Sequence, residues 1–313
     1  MVKKNTLNKL TPEVLQAYNV CQDIAKSHYE NFPVSSFLLP KHLRRSVAAI
    51  YAFARTGDDI ADEGEIGREA RLELMTKFET NLYDIQYGKP PTEPIFIALK
   101  HTIECFNLPI QLFYDLLSAF RQDILKNRYQ NFTELQDYCH YSANPVGRLL
   151  LYLTGQASKE NLLLSDNICT GLQLINCIQD IEIDLNTKDR CYIPLDELKK
   201  HQVNLEDIAK LKITDNYCNL VNDYMQHAAN IYQQGMALGQ NLPGLFGLEI
   251  RFITACGNKV LEKLVNRDNI FNRPLLNKLD MLWIFLQTLC KRGPAICTPI
   301  PRNAALKKSQ QIK

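Results

Sequence analysis

Apolar residues recur along this chain at helical spacing, and no run alternates for long in the manner of a strand. Thr11-Pro12-Glu13 reads as an N-cap with proline at the first helical position, opening a helix toward Glu30. After a connection over 33–39, Pro40 starts a second helix that is apolar for most of its length and acidic at its end. Residues 68–87 form a charged amphipathic helix, closed by the loop Gly88-Lys-Pro-Pro-Thr-Glu-Pro94. Helices over 95–106 and 109–126 form a hairpin, separated by a short break at Asn107-Leu108-Pro109. Thr133 with Gln136 reads as a capping box for a helix running toward Tyr152, kinked by Pro145. Asp166 caps a helix that stops near Leu185, and the polar stretch 186–193 beyond it is expected to act as a lid. Two short helices within 196–210 precede long ones over about 215–240, 245–265 and 274–291.

The pattern predicts an all-α protein. No internal repeat, Gly/Ser linker or shift of composition divides it, so one helical domain is expected over 1–293, with a flexible Pro-rich and basic tail over 294–313. With 313 residues and 46% hydrophobic content the chain has ample material for a core. A net charge of +2, without a basic run interleaved with aromatics, argues against a nucleic-acid partner. The 10 cysteines lack Cys-x-x-Cys pairs and the N-terminus lacks the apolar core of a secretory signal, so the reducing cytoplasm is expected. Cys169 and Cys177 read as small core residues. The apolar stretch 275–289 is too polar to span a bilayer and reads as a core helix. The tail has Arg302, Lys307, Lys308 and Lys313, which offer either a solvated end or peripheral attraction to the inner face of the cell membrane.

Charge matters chiefly in two places. At 3.6 residues per turn Val47, Tyr51, Arg55, Asp58 and Asp62 fall within roughly 80° of one another, with Asp59 beside them. Gln173, Asn176, Asp180 and Asp184 form a second stripe roughly 80° wide on an otherwise apolar helix. Inward carboxylates are costly unless paired with cations or bound to metal, so two such stripes imply a facing pair around a cation. Hard oxygen donors suit magnesium, which completes its shell with water and substrate phosphates, so Asp58, Asp59, Asp62, Asp180 and Asp184 become candidate metal ligands for a diphosphate site, the other reading of the first three being a solvated helix end. Arg55, one turn before the first acids, either neutralises them or binds diphosphate. Asn144 precedes a proline that leaves a carbonyl free, and the two are a candidate seat for a reacting water, or Asn144 merely satisfies the kinked backbone.

The first acidic stretch resembles the first aspartate-rich motif of squalene and phytoene synthases, and residues 171–194, ending in Arg190-Cys-Tyr-Ile-Pro194, resemble the second. The similarity covers about 17–273. The strings His28-Tyr-Glu-Asn-Phe-Pro33, Ala52-Phe-Ala-Arg55 with Asp58-Asp-Ile-Ala-Asp-Glu-Gly64, Ser142-Ala-Asn-Pro-Val-Gly-Arg148 and Gln179-Asp180 look like those of the hydroxysqualene synthase branch of bacterial hopanoid pathways. The resemblance implies an isoprenoid-synthase helical bundle with a central cavity and about two or three magnesium ions. It adds Tyr51, Gln173, Asn176, Arg190, Tyr192 and Arg273 as site residues, though Tyr51 and Gln173 read equally as core polar groups and Arg273 as a loop-end cation. Condensing members usually carry Arg where this chain has Gln179, at the edge of the substrate site, and a Gly-Thr-Val-Gly-like string where it has Asn144-Pro-Val-Gly147. The expectation is therefore an enzyme that ionises presqualene diphosphate and quenches the cation with water to give hydroxysqualene, without NADPH. The alternatives are a head-to-head condensing prenyltransferase using farnesyl or geranylgeranyl diphosphate, and a non-catalytic assembly factor on the same fold. Neighbouring pathway enzymes are expected partners.

Overall fold

The computed structural model describes residues 10–27 and 39–290, so the expected string at 28–33 and the tail over 294–313 lie outside the described residues. The described chain is helical, with an isolated bridge between Arg128 and Cys191 and no strand. By contacts it divides into two compact units where one domain was expected: Met1–Leu125 with Pro145–Leu162, and Lys126–Asn144 with Leu163–Lys313. Each is described by itself.

The first unit contains α1 (Pro12–Ser27), α2 (Lys41–Asp62), α3 (Arg68–Gln86), α4 (Pro94–Phe106) and α5 (Gln111–Leu125). These bounds follow the sequence signals closely, including Pro40 as N-cap of α2 and the Thr11 hydroxyl accepting from the Val14 amide at 3.3 Å. Helix α2 packs against the other four. Ala48, Ala49 and Ala52 let α1 and α4 approach it closely, and Tyr18 of α1, buried in that seam, satisfies its hydroxyl with Thr102 at 2.9 Å and His101 at 2.8 Å. Beside that seam Phe53 meets Phe78 at 5.1 Å, Phe113 at 5.4 Å and Phe96 at 6.0 Å between ring centroids. Further along, the Phe120 ring lies where a Cβ on Gly57 would sit 2.5 Å from it, so any larger residue directly before Asp58 requires that ring to move. The acidic end of α2 is thus presented by a helix held along its length.

The chain continues through α6 (Phe132–Ser142), α7 (Asn144–Leu153), α8 (Lys159–Gln179), α9 (Ile181–Lys188), α10 (Leu195–Lys200), α11 (Leu205–Ala209), α12 (Asp215–Gly235), α13 (Leu238–Asn241), α14 (Gly244–Asn266) and α15 (Lys278–Cys290). Several sequence expectations need correction here. The N-cap of α6 is Asn131, whose side chain accepts from the Glu134 amide at 2.9 Å while Glu134 reaches back to the Gln130 amide. That Asn-x-x-Glu box starts the helix two residues before Thr133. In place of a kink, the chain breaks at Ala143 and restarts at Asn144, which leaves Pro145 in a first turn where its missing N–H costs nothing. Helix α8 begins at Lys159, with Ser158 capping the Asn161 amide at 3.1 Å, so Asp166 lies inside it.

In the second unit α14 packs against α12, α13 and α15. Tyr232 of α12 is wedged between glycines: a Cβ on Gly171 of α8 would come within 2.5 Å of the Tyr232 Cβ, and one on Gly257 of α14 within 2.4 Å of its hydroxyl. That hydroxyl donates to the Thr254 carbonyl at 2.8 Å. Cys177 is buried and Cys169 half-buried, and neither forms a disulfide. The expectation of a core helix over 275–289 is only half met, because one face of α15 packs and the other is exposed.

Candidate functional site

The two acidic motifs fall in different units, and each has its own cations. On α2, Arg55 Nη2 lies 2.6 Å from Asp59 Oδ1 and also holds Glu63, while Nη1 is 3.7 Å from Asp58. Partial burial works against the Arg55 charge, but Asp59, Asp58 and Glu63 outweigh it and hold the guanidinium above its ordinary pKa. Asp58 and Asp59 remain 45% and 33% exposed, so a cation arriving from solvent can reach both. Asp62 and Tyr51 are half-buried on the same helix. Two contributors are absent from the sequence reading. Glu63 lies past the helical repeat, and Arg71 of α3 ties down the end of α2 by donating to the carbonyls of Ile60 at 3.0 Å, Glu63 at 2.9 Å and Gly64 at 2.7 Å. The Ile60 carbonyl is one that a helix end leaves without an intrahelical partner, and the other two belong to the turn that follows. Arg71 had no signal beyond its place in an amphipathic helix.

The second motif sits at a joint. Helix α8 ends at Gln179, Asp180 has φ −106° and ψ 9°, and α9 begins at Ile181. The i to i+4 ladder nevertheless persists, from the Asp180 amide to Asn176 O and from the Asp184 amide to Asp180 O, each at 2.9 Å. Asn176 and Gln173 are half-buried one and two turns upstream. The segment before α15 docks on this joint through consecutive residues. Arg273 forks onto the Asp180 carboxylate through Nε and, at 3.3 Å, Nη2, and the buried Gln179 amide donates to the Pro274 carbonyl at 2.5 Å. Lys188 Nζ is 3.6 Å from Asp184.

The stretch 186–193 is not built as a lid. Its first half is helical in α9, and its second half is a buried strap beside 127–131, with the Cys191 amide on Asn127 O and the Leu195 amide on Tyr129 O, both at 2.9 Å. Arg128 anchors the turn by gripping Asp189, which adopts left-handed φ 48° and whose carboxyl Arg128 and Asn127 hold below its usual pKa. Arg190 and Tyr192 are buried and bonded to each other at 3.2 Å, and Tyr192 lies among Tyr129 and Tyr138 with centroids 5.6 and 5.4 Å away. Asn144 is also buried, accepting from the Thr170 hydroxyl at 3.0 Å. Thr170 is ten residues before Asp180, which places this contact about 15 Å up α8.

Among the described residues no group of three or more His, Cys, Asp or Glu side chains is gathered tightly enough to hold an ion alone. Asp58 with Asp59 and Asp180 with Asp184 still fit magnesium, since that ion takes one or two carboxylates and fills its octahedron with water and substrate phosphate oxygens. Each acid pair supplies hard donors beside an arginine suited to the phosphate it would bring.

The profile of the squalene/phytoene synthase family matches residues 25–281. The chain is similar to a hydroxysqualene synthase of Rhodopseudomonas palustris, 32% identical over 254 residues that cover 81% of this chain and 85% of that one. It is 30% identical over 284 residues to a hydroxysqualene synthase of Zymomonas mobilis, covering 90% of this chain and 92% of the relative. Among solved structures, a squalene synthase from Alicyclobacillus acidocaldarius superposes with a TM-score of 0.76 at 33% identity, over 85% of this chain and 99% of that one.

Proposed function

This chain belongs to the squalene/phytoene synthase family of helical isoprenoid synthases, and we propose that it acts on presqualene diphosphate, releasing diphosphate and adding water to give hydroxysqualene. The observation that carries the reading is Gln179. Where condensing members usually carry an arginine, this chain has a neutral amide, buried and committed to the Pro274 carbonyl. A cation suited to a second diphosphate is therefore missing from that position. The names of the two similar hydroxysqualene synthases support the same reading.

Asp58, Asp59 and Asp62 in one unit and Asp180 and Asp184 in the other are the groups we assign to magnesium. When bound, that ion neutralises diphosphate and makes it a better leaving group. We assign Arg55 and Arg273 to phosphate oxygens as bidentate donors, each exchanging for the ligand the carboxylate it now holds. The carbon–oxygen bond then breaks with its electron pair going to diphosphate. The cation rearranges, and water forms the new carbon–oxygen bond and loses a proton. Tyr51, Gln173 and Asn176 are the polar side chains we assign to the substrate's reacting end. Arg190 and Tyr192 are assigned to positioning, because both are buried and bonded to each other. Asn144 is assigned to the water. No hydride donor takes part.

The test is to incubate the purified protein with magnesium and either presqualene diphosphate or farnesyl diphosphate, and to extract the neutral products. Hydroxysqualene from presqualene diphosphate, unchanged by NADPH, is expected. Accumulation of presqualene diphosphate from farnesyl diphosphate, or a shift to squalene with NADPH, overturns the proposal.

A further inference from the structure

Helix α15 is apolar on two faces, and the fold uses one. On the packed side Ile284 and Thr288 are buried, Phe285 meets Phe252 edge to face at 5.8 Å, and Lys263 Nζ lies 2.5 Å from Asp280. On the other side Leu279, Leu282, Trp283, Leu286 and Leu289 fall within about 120° of one another at 100° per residue. All five are exposed, Leu279 by 76% and Trp283 by 61%. Exposed leucines are ordinary when scattered, but a contiguous stripe of roughly 600 Å² is at the top of the range for the largest apolar patch on a monomer, and such patches are often functional.

Charge selects the occupant. Lys278 flanks the stripe, and residues 291–313 contain Lys291, Arg292, Arg302, Lys307, Lys308 and Lys313 without an Asp or Glu. A second copy would bring two such basic segments together over less area than the roughly 800 Å² per partner typical of stable interfaces. Residues 291–313 themselves offer few bulky apolar side chains to cover the stripe. No helix of the described residues is long and apolar enough to cross a membrane. We infer that the exposed face of α15 lies flat on an anionic lipid surface, its leucines and Trp283 in the acyl boundary and Lys278 at the headgroups. The inference stands apart from the reading of the reaction.

Trp283 is the chain's single tryptophan, so its emission reports on this face directly. The full chain is titrated with extruded vesicles of phosphatidylcholine containing about 30% phosphatidylglycerol, and with vesicles of phosphatidylcholine alone. Expected are a blue shift of Trp283 emission, quenching by brominated acyl chains and co-sedimentation with the anionic vesicles. Binding is expected to fall at least about tenfold when salt rises from about 0.1 to 0.5 M. The double variant Leu279→Gln, Leu282→Gln keeps the reporter and alters only exposed positions, and its partitioning is expected to fall at least about tenfold at unchanged helicity. Trp283 emission unmoved by vesicles overturns the inference, as does emission already blue without lipid. In the latter case, concentration dependence identifies a second copy and concentration independence the chain's own residues. Equal, salt-insensitive binding to both vesicle types overturns the anionic assignment.

Discussion

Tyr232 is fully buried between α8 and α14, and the two glycines that admit it are not equally replaceable. In Gly171→Ala the new methyl would lie 2.5 Å from the Tyr232 Cβ and 2.8 Å from its Cα. The second atom is main chain, so relief requires moving α12 relative to α8. In Gly257→Ala the offended atoms are the Tyr232 hydroxyl at 2.4 Å and the Leu172 Cδ2 at 2.6 Å, both at side-chain ends. Overpacking costs about 1–3 kcal/mol, and the main-chain clash belongs at the top of that range. Alanine recovers about 1 kcal/mol over glycine inside a helix. Gly171→Ala is therefore expected to lose about 2 kcal/mol net. Gly257→Ala forfeits about 1 kcal/mol from the hydrogen bond to Thr254 and a little from turning Leu172, and ends near about 1 kcal/mol or below. Guanidinium unfolding followed by circular dichroism, compared at a common slope, measures the difference. The reasoning fails if Gly171→Ala stays within about 0.5 kcal/mol of the parent, or if Gly257→Ala proves the costlier.

Asp58→Asn and Asp180→Asn are each expected to lower turnover at least about 100-fold while moving stability by no more than about 1 kcal/mol, because the arginines they release can be solvated. Near-normal diphosphate release in both variants would remove the acid motifs from the chemistry. His101 and His227 are each held below their ordinary pKa by burial, although nearby Glu104 and Glu197 pull the other way. The unfolded chain therefore takes up these protons first as pH falls, so stability rises with pH through the window just below 6.5 and is lost on acidification through it. The fall in melting temperature over that window is expected to shrink in His227→Gln; an unchanged fall would show that other groups carry it. Asn144→Leu strands the buried Thr170 hydroxyl, at a cost of about 1–3 kcal/mol, and on the proposed reading shifts the product from alcohol toward hydrocarbon. Unchanged alcohol yield per diphosphate would place the water elsewhere.

Local signals located the helices of the first unit well, since Pro40, Pro94 and the Gly88–Pro94 loop act on their own neighbours whatever the rest of the chain does. The acidic motifs and Arg55 were legible for the same reason, being i to i+4 relations on one helix. What escaped depends on partners distant in sequence. The joint at Asp180 has no glycine or proline to announce it, and it is occupied by Arg273 and Pro274, more than ninety residues away. The strap at 190–193 looked like a lid because its residues are polar, yet Arg128 and the Tyr129, Tyr138 and Tyr192 cluster make it interior. Helix α15 read as core because its apolar positions go nearly all the way round, and composition alone does not say which face finds a neighbour.

The arginines seated on Asp59 and Asp180 make these acids contested ground. A cation approaching either one competes with a guanidinium already in place, so on the proposed reading metal alone should bind weakly. A diphosphate that draws the arginine onto its own oxygens vacates the carboxylate at the same moment. Each then raises the other's affinity by the same factor, as reciprocity between linked equilibria demands. Metal and substrate would behave as a single composite ligand, and the resting protein would be guarded against divalent cations that arrive without one.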